Sequence, residues 1–401
     1  MAIETLDEAD VDGARVAVRV DVNSPLTSDG ELADDARFRA HVETLSELLD
    51  RNARVAIIAH QGRPGGDDFG SLEPHAERLD DLLDAPVGFV DGTFCVAARE
   101  AIENLDPGEA VLLENVRFYS EEYISFDPAV AAETHLVERL SSVLDCYVND
   151  AFAAAHRSQP SLVGFPSRLP AYAGRVMERE LETLGAVEET PRPRTYVLGG
   201  AKVDDAIHVA RSVLDRELAD SVLVAGLVGN VFLAADGIDL GEASEAVIDE
   251  RGYRESIDHA CDLLDDHGER IHTPLDVAVE RNGERHELAV EELPAASDEP
   301  ALDVGTRTIE RYEAVLSDSR TAILNGPAGV FEQDEFATGS RELFAAVAAV
   351  DRSMVGGGDT AAAVRTLGVE GFDHVSTGGG AALRLLTDEE LPAVEALRNE
   401  E

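Results

Sequence analysis

Short apolar runs rich in valine and isoleucine alternate along this chain with segments of helical periodicity, and this alternation constrains the fold most. The first units read "ARVAVRVDVN", "ARFRAHVETLSELLD" and "ARVAIIAH", and in the helical one Phe38, Val42, Leu45 and Leu49 share a face. The pattern continues through "PVGFVDG", "AVLLENVRF" and "DCYVNDAF", with helices predicted at roughly 72–84, 93–104 and 127–142. Repeated strand–helix–strand units predict a mostly parallel sheet covered by helices on both faces.

A second series of strand-like runs follows "ETPRPR" at 189–194, whose prolines and charges predict a linker. These runs are "TYVLGG", "DSVLVAG", "TAILNGP", "SMVGGGD" and "HVSTGGG", and a helix is predicted between the two series at "RVMERELETLGAVEE". We therefore expect an α/β protein of two lobes, each with a mostly parallel, doubly wound (Rossmann-like) sheet, joined by a hinge helix with a cleft between them. The predicted domains are 1–172 and 189–387, with the hinge helix at 173–188.

The charge balance is strongly acidic, with 81 Asp and Glu residues against 33 Lys and Arg residues, a formal net charge of −48. The excess runs through the whole chain, and 44% of the residues are apolar, so a sizeable core is expected rather than a disordered acidic tail. Molar salt shortens the Debye length to roughly 3 Å and screens such self-repulsion. This composition predicts a protein of a salt-rich cytoplasm, with no nucleic acid and no anionic membrane as a general partner.

Neither targeting nor metal-binding signals stand out. The start "MAIETLDEADVDG" has no basic and apolar leader pattern, and no uncharged apolar run of ~18 residues occurs, which predicts a soluble, cytoplasmic protein. Cys95, Cys146 and Cys261 are odd in number and widely spaced, so neither a disulfide framework nor a metal site is expected. We expect them to be small buried residues.

In the first half, polar and basic residues follow the predicted strands. They are Asp21 and Asn23 in "RVDVNSP", His60 and Arg63 in "AHQGRP", Arg117 in "LLENVRF", and His156 and Arg157 in "NDAFAAAHR". Ligands of open parallel sheets bind outside the carboxyl ends of the strands. Converging arginines there would bind a small polyanion through bidentate contacts. The alternative is that each arginine pairs with a carboxylate on a solvated surface.

In the second half, the strand ends carry glycine instead, in "LGGAK", "AGLVGN", "NGPAG", "GGGDT" and "STGGGA". A glycine turn that leads into a helix presents N–H groups to phosphate. "GGGDT" also places Asp359 and Thr360 in a first helical turn, where a carboxylate can hold Mg²⁺ and a hydroxyl can contact phosphate. This predicts a metal-nucleotide site, although ordinary strand-to-helix turns are the alternative. No G-x-x-x-x-G-K-[ST] loop is present and no G-x-G-x-x-G follows the first strand of either half, so a Walker-type ATPase and a standard dinucleotide site both lose support.

Lys202, in "GGAK", is the only lysine of the chain. Phosphoryl transfer depends on charge placed beside the oxygens of the group in flight. A compact ammonium on a flexible stem can follow that group, whereas a planar guanidinium requires a fixed geometry. Lys202 is therefore predicted to act in phosphoryl transfer, and one leftover surface lysine is the alternative.

Together these motifs resemble the phosphoglycerate kinase family, in a form like that of halophilic archaea. The resemblance runs almost end to end, through "RVDVNSPL", "DDARFRA", "HQGRP", "LLENVRF", "VNDAFAAAHR", "VLGGAKVDD", "NGPAGVFE", "VGGGDT" and "HVSTGGGAAL". It implies a reversible phosphoryl transfer between 1,3-bisphosphoglycerate and ADP that gives 3-phosphoglycerate and ATP, with Mg²⁺ bound to the nucleotide. It also implies a monomer whose hinge closes to bring the two substrates together.

The resemblance further implies the site residues. Those for 3-phosphoglycerate are Asp21, Asn23, Arg37, His60, Gln61, Gly62, Arg63, Arg117 and Arg157. Those for the nucleotide are Gly199, Gly200, Lys202, Asn325, Glu332, Gly357, Gly358, Asp359 and Thr360. Of these, Glu332 is implied to bind the ribose and Asp359 the Mg²⁺. The residues implied to act on the transferred group are Arg37, Lys202, Gly358 and Gly379, with Gly378 offering a further N–H group. Arg37 is chosen over Arg39 because the family's arginine comes first in "DDARFRA".

Two further expectations come from the resemblance. Many family members carry a second lysine four residues after the first, but this chain has Ala206 there, so one positive charge is missing. The C-terminal segment, about 388–401, is expected to return to the first domain. Two other classes are left open: a different nucleotide-dependent α/β enzyme such as a dehydrogenase, which would bind a nicotinamide cofactor, and a non-enzymatic binding or scaffold protein.

Overall fold

The computed structural model describes residues 3–27, 31–294 and 299–398. It divides into two compact units, Met1–Glu182 with Glu389–Glu401 and Thr183–Asp388. Each unit contains a six-stranded sheet in which all paired neighbours are parallel. The predicted pair of parallel α/β sheets is therefore confirmed.

The first unit is built from strands and helices that alternate along the chain. In chain order they are β1 (Arg15–Arg19), α1 (Ala36–Asp50), β2 (Arg54–Ile58), α2 (Glu73–Leu82), β3 (Val87–Val90), α3 (Val96–Glu103), β4 (Ala110–Leu113), α4 (Pro128–Ala131), α5 (His135–Ser141), β5 (Cys146–Asn149), α6 (Pro160–Val163), β6 (Ala171–Ala173) and α7 (Arg175–Leu184). The strand order is β3-β4-β2-β1-β5-β6. The boundary between the units falls inside α7.

The central strands of this sheet are apolar in their interiors because helices cover both faces. Every residue of β4 is buried, and so are the last four residues of β1 and of β2. Helix α1 buries Phe38, Leu45 and Leu49 against this sheet, as the periodicity predicts, whereas Val42 is only partly buried. The strands thus end at one edge, where the polar residues that follow them can meet.

The second unit repeats this arrangement. Its elements are β7 (Arg194–Leu198), α8 (Val203–Asp215), β8 (Ser221–Val224), α9 (Gly226–Ala235), α10 (Glu242–Glu250), α11 (Arg254–His267), β9 (Ile271–His272), β10 (Asp276–Arg281), β11 (Glu284–Ala289), β12 (Ala301–Val304), α12 (Thr306–Ser317), β13 (Thr321–Asn325), α13 (Thr338–Ala348), β14 (Ser353–Val355), α14 (Gly358–Leu367), β15 (His374–Val375) and α15 (Gly380–Leu386). The parallel sheet has the order β15-β14-β13-β7-β8-β9.

A last short helix, α16 (Pro392–Glu395), belongs to the first unit. Its Ala393 N–H donates to the Ala155 carbonyl at 3.1 Å, and it packs against α6. Residues 399–401 of the segment expected to return to this domain lie outside the described residues.

The second unit also contains a small antiparallel sheet, β11-β10-β12, which the sequence patterns did not predict. Strand β11 is polar and is not buried at any position, so it carries no apolar run. Its hairpin turn has positive φ at Asn282 (55°) and Gly283 (78°). An Asn-Gly pair of this kind is typical of two-residue hairpins and was the available signal.

The single helix predicted at 127–142 was wrong, because the structure has the two short helices α4 and α5 there. Thr134 between them is extended, with ψ 153°, and its hydroxyl donates to the Ala131 carbonyl at 2.7 Å. A threonine hydroxyl that bonds to the backbone in this way competes with helical hydrogen bonds. The apolar spacing continues across the break, so periodicity alone did not show it.

The expectation of buried cysteines holds for Cys146 only, since Cys95 and Cys261 are partly exposed. Burial raises the pKa of the Cys146 thiol to about 12, so that it remains protonated at neutral pH. Among the described residues, no helix combines the length and the apolar character that a membrane crossing requires.

Candidate active site

Basic side chains gather at the carboxyl ends of the strands of the first unit. We call this set the basic cluster: Arg19, Arg37, His60, Arg63, Arg117 and Arg157. Arg19 ends β1, His60 follows β2 and Arg117 follows β4. The positive charges of Arg19, Arg117, Arg157 and Arg37 all act on His60, which shows that these groups lie close together. The predicted convergence at one sheet edge is therefore what the structure shows for these residues.

His60 is buried at the centre of the basic cluster. Burial, together with the neighbouring arginines, holds its pKa well below the ordinary value. Arg19 Nη2 lies 2.9 Å from His60 Nδ1, and because the guanidinium can only donate, Nδ1 is the acceptor. The imidazole is thus neutral and carries its proton on Nε2, which leaves a hydrogen-bond donor for a ligand.

Three arginines of the cluster, Arg63, Arg117 and Arg157, differ from Arg37, which pairs with Asp21. Burial and the nearby Arg157 and Arg19 lower the pKa of Arg117 to about 10. Among the described residues, Arg63, Arg117 and Arg157 form no ion pair with a carboxylate. The alternative of arginines paired one by one on a solvated surface therefore does not describe these side chains. Their combined charge favours an anion with several acidic groups.

The motif "DDARFRA" contains two arginines that could belong to the site, and the structure distinguishes them by their partners. Arg37 Nη1 donates to Asp21 Oδ2 at 2.6 Å, and Asp21 is buried. Arg39 Nε instead donates to Asp35 Oδ1 at 3.0 Å on the exposed side of α1. Only Arg37 belongs to the basic cluster, which agrees with the choice made from the sequence.

Asp21 is itself held by residues that sequence reasoning missed. Its backbone N–H donates to His41 Nε2 at 3.0 Å, and His41 Nδ1 donates to the fully buried Asp150 at 2.6 Å. The other Asp150 oxygen accepts the Val176 N–H at the start of α7 at 2.9 Å. This chain of hydrogen bonds fixes the loop after β1 to the first turn of α7. His41 follows the helical face of α1, so its spacing suggested only a core residue.

The "HQGRP" loop is fixed in the same way. The Gln61 side chain accepts from Ser24 N–H at 3.0 Å and donates to the Ser24 carbonyl at 2.8 Å, so it bonds to the protein itself. Asn23 Oδ1 accepts the Gly62 N–H at 2.7 Å, and Arg117 Nη1 donates to the Gly62 carbonyl at 2.5 Å. Gln61, expected to bind substrate, is therefore placed to hold the loop rather than to offer its amide to a ligand.

Arg19 was not predicted from the sequence. Its Nε donates to Ser161 Oγ at 3.0 Å, and Ser161 in turn donates to the buried Glu122 at 2.8 Å. Burial raises the pKa of Glu122, while the Arg19 charge opposes that rise. A charged residue at the carboxyl end of a strand whose interior is valine and alanine was the signal that could have found this group.

The glycine turns of the second unit surround a cavity of about 510 Å³. Its lining includes Gly199, Gly200, Lys202, Asn325, Glu332, Gly357, Gly358, Asp359, Thr360 and Gly379. These are the residues predicted for the nucleotide, together with the catalytic glycine predicted in "STGGGA". A neighbouring cavity of about 380 Å³ is lined by apolar side chains such as Leu227, Val247 and Leu302. One cavity thus suits phosphates and the other an apolar ring system.

Two glycines of this site are required by geometry. A Cβ on Gly199 would lie 2.3 Å from the Pro327 carbonyl oxygen, so only glycine lets the two turns approach. Gly357 has φ 90°, which favours glycine, and it precedes α14 directly. The Thr360 hydroxyl in the first turn of α14 accepts the Gly326 N–H at 2.8 Å and so links two of the turns. The start of α14 is thereby fixed at the cavity.

Lys202 precedes α8, and its Nζ lies 2.8 Å from Asp359 Oδ2 in the first turn of α14. Both side chains line the larger cavity. Among the described residues, no group of three or more His, Cys, Asp or Glu is placed to hold a metal alone. Mg²⁺ bound with a nucleotide needs only one or two carboxylates, because phosphates supply the other oxygens. The exposed Asp359 carboxylate beside the glycine turns fits that requirement.

One sequence expectation, that for Gly378, needs adjustment here. The Gly378 N–H donates to Ser376 Oγ at 3.0 Å and Gly378 does not line either cavity, so it is not an open donor. Ala206 is buried in α8, so no cation is present at that position. The cation that sequence reasoning missed is Arg251, which lines both cavities. It comes from the end of α10, where no motif indicated a site.

Comparison with known proteins gives the same family as the motifs. The family model described as Phosphoglycerate kinase matches residues 6–389. Over 398 residues, the chain is 65% identical to phosphoglycerate kinase of Natronomonas pharaonis and 62% identical to that of Halobacterium salinarum, in each case over 99% of this chain and 100% of the relative. Both organisms are halophilic archaea, as the composition and the motifs predict.

A solved structure agrees with this result. The crystal structure of phosphoglycerate kinase from Pyrococcus horikoshii OT3 matches with a TM-score of 0.93 and 42% identity, covering 99% of this chain and 98% of that chain. The family match spans most of the sequence, and the aligned relatives span it almost completely. The chain therefore belongs to the phosphoglycerate kinase family.

Proposed function

We propose that this protein reversibly transfers a phosphoryl group between 1,3-bisphosphoglycerate and ADP, giving 3-phosphoglycerate and ATP. Membership of the family makes the chain a kinase. The observation that carries the proposal is the lining of the larger cavity, where the predicted nucleotide residues come together. The basic cluster of the other unit supports the second part of the proposal, since it offers a site for a small acid with several negative charges.

In the first unit, the basic cluster binds 3-phosphoglycerate. Arg63, Arg117 and Arg157 offer guanidinium groups without local ion pairs, which suits the phosphate and carboxylate of this substrate. His60, neutral and protonated on Nε2, adds a donor rather than a charge. Asp21 and Asn23 are held in the loop after β1, where they contact the substrate hydroxyl or orient Arg37.

In the second unit, the larger cavity binds the phosphates and the neighbouring cavity binds the adenine ring. Glu332 lines both cavities and accepts hydrogen bonds from the ribose hydroxyls. Gly358 begins α14 and Gly379 directly precedes α15, so their N–H groups and helix dipoles favour the transferred phosphoryl group. Asp359 would hold the Mg²⁺ of the nucleotide, which neutralises phosphate charge when bound.

The transfer itself needs little covalent help from the protein. In the direction of ATP use, a carboxylate oxygen of 3-phosphoglycerate forms a bond to the γ-phosphorus while the bond to the β-phosphate oxygen breaks. The acceptor carboxylate is already ionised at neutral pH, so no general base is required. Catalysis depends on Arg37 and Lys202 placing positive charge beside the moving group.

The two substrate sites lie in different units, so direct in-line transfer requires the units to close around both ligands. Closure would use α7, in which the unit boundary falls. The first domain then corresponds to about 1–172 with the C-terminal segment, and the nucleotide domain to about 189–387. The protein works as a monomer in the cytoplasm, where its substrates are small phosphorylated metabolites.

The proposal is tested by measuring ADP release from MgATP in concentrated KCl with and without 3-phosphoglycerate. We expect release that depends on 3-phosphoglycerate and saturates with it. Glycerate, which lacks the phosphate, serves as the matched control and should support little release, because the basic cluster then has one anionic group fewer to bind. Equal release with glycerate, or none with 3-phosphoglycerate at any salt concentration, would overturn the proposal.

A further inference from the structure

Arg251 lies where the two cavities of the second unit adjoin. It is exposed, it directly follows α10, and it lines both cavities. Among the described residues, its guanidinium makes no hydrogen bond and no ion pair. Arg254 nearby is different, since it is held by Asp249 at 2.7 Å. In a chain with 81 carboxylates, an unpaired arginine beside a ligand cavity is available to bind an anion.

The local fold fixes the backbone at Arg251. Gly252 is left-handed with φ 79°, and the Tyr253 N–H donates to the Ile248 carbonyl at 3.0 Å, which is the hydrogen bonding that ends helices at a glycine. The Tyr253 hydroxyl then donates to the Ala201 carbonyl at 2.8 Å. The end of α10 is thereby bonded to the "GGAK" turn that carries Lys202.

A second bond holds the same segment. Ser256 Oγ donates to Asp204 Oδ1 at 2.6 Å, which joins the first turn of α11 to the first turn of α8. Arg251 therefore lies just before a segment that two hydrogen bonds, those of Tyr253 and Ser256, hold against the nucleotide site. Its side chain can reach a ligand there without a rearrangement of the backbone.

The charges that line the two cavities are consistent with Arg251 binding an anion. Among the described residues that line them, the cationic ones are Lys202 and Arg251, and the acidic ones are Asp205, Glu332 and Asp359. Lys202 is paired with Asp359. The phosphates of a nucleotide would add further negative charge, so Arg251 is the cation best able to offset it.

The position of Arg251 indicates which phosphate it meets. The two cavities share Gly200, Ala201, Arg251, Pro327, Phe331 and Glu332. The ring system belongs in the apolar cavity and the terminal phosphates belong near Lys202, so the shared lining faces the part of the nucleotide between them. That part is the ribose and its first phosphate, and of the two only the phosphate is an anion.

We propose that Arg251 binds the phosphate nearest the ribose of the adenine nucleotide through charge-assisted hydrogen bonds. This inference rests on the proposed function and assigns the nucleotide site a residue that its motifs do not contain. It predicts that Arg251 contributes to the affinity for AMP and ADP and not to the affinity for adenosine. A residue that only shaped the cavity would affect all three ligands alike.

The test is isothermal titration calorimetry in concentrated KCl with adenosine, AMP and ADP, on wild type, Arg251→Gln and Arg251→Lys. We expect Arg251→Gln to weaken AMP and ADP binding about tenfold and to leave adenosine binding unchanged. Arg251→Lys, which keeps the charge but loses the bidentate geometry, should recover part of the affinity. Arg254→Gln is the matched control and should match wild type for each ligand, since Arg254 lines neither cavity.

Each outcome decides a separate point. If Arg251→Gln binds ADP as wild type does while turnover continues, the inference is wrong and the proposed function stands. If adenosine binding weakens as much as AMP binding, Arg251 contacts the base or ribose and the phosphate assignment is wrong. If wild type binds no adenine nucleotide and shows no turnover, the proposed function fails and this inference fails with it.

Discussion

The Lys202 ammonium nitrogen lies 2.8 Å from a carboxylate oxygen of Asp359, although the two side chains are 67% and 78% exposed. An ion pair this open to water contributes about 0–1 kcal/mol to the free energy of unfolding. Both residues come from turns before or within the first turn of a helix at the same cavity. The pair therefore contributes little to the stability of the fold, and its place at the cavity is the place expected of residues that act on a ligand.

Asp359→Asn should separate these two roles. We expect its free energy of unfolding to differ from wild type by less than about 1 kcal/mol, because the pair is exposed. In calorimetry, Mg²⁺ should strengthen ADP binding to wild type but not to the variant, since Asp359 would hold the ion. Binding of ADP without metal should be unchanged or tighter once the negative charge is removed. Equal strengthening by Mg²⁺ in both proteins would show that Asp359 is not the metal ligand.

Arg37 and Arg39 form a natural matched pair for mutation. Arg37 contacts the buried Asp21, whereas Arg39 pairs with Asp35 and is 61% exposed. Arg37→Ala should lower kcat by about 10²–10³-fold through loss of a charge near the transferred group, and Arg39→Ala should change it by less than about twofold. Steady-state kinetics on both variants, with thermal unfolding to confirm that each is folded, checks this. Similar losses in the two variants would contradict the assignment of Arg37.

His75 makes the folded protein sensitive to acid. Burial lowers its pKa from 6.5 to about 4, and its Nε2 lies 3.0 Å from Gln61 Oε1. Between these pH values the unfolded chain binds more protons, so this contribution to stability is fully present above about pH 6.5 and is lost as the pH falls towards 4. The difference between the two pKa values corresponds to at most about 3 kcal/mol. Burial lowers the pKa of His60 as well, which acts in the same direction.

His75→Gln keeps a donor for Gln61 but removes the titrating group. Unfolding free energies measured between pH 7 and pH 4.5 at constant KCl should therefore fall less steeply in the variant than in wild type. The slope should not vanish, because His60 still titrates. Identical slopes in the two proteins would mean that His75 does not contribute to the acid sensitivity.

Most of the site residues that the sequence predicted lie after a strand or at the start of a helix. Lys202 and Asp359 each follow a glycine turn at the end of a parallel strand, and the carboxyl ends of parallel strands meet at one edge, so their proximity could be expected. Arg251 could not be found in this way, because it reaches the site through the bonds of Tyr253 and Ser256 to a distant turn. Such contacts depend on tertiary packing and leave no periodic pattern.

The elements of the fold likewise divide into those that the sequence patterns predicted and those that they missed. The parallel strands were predictable because burial on both faces makes them continuously apolar, as in β4. The small antiparallel sheet was missed because β11 is polar, and the break at Thr134 was missed because a single hydroxyl decides it. Gln61 lies within a predicted motif, yet its amide bonds to Ser24 rather than being left for a ligand, which only the structure could show.

The central claim is that Lys202 supplies a mobile positive charge to the phosphoryl group in flight. The most direct test is to incubate wild type, Lys202→Ala and Lys202→Arg with 3-phosphoglycerate and MgATP in concentrated KCl and to trap the acyl phosphate with hydroxylamine. We predict hydroxamate from wild type and loss of most of it in both variants, because a planar guanidinium cannot follow the transferred group as an ammonium does. Hydroxamate from Lys202→Arg at the wild-type rate would contradict this account.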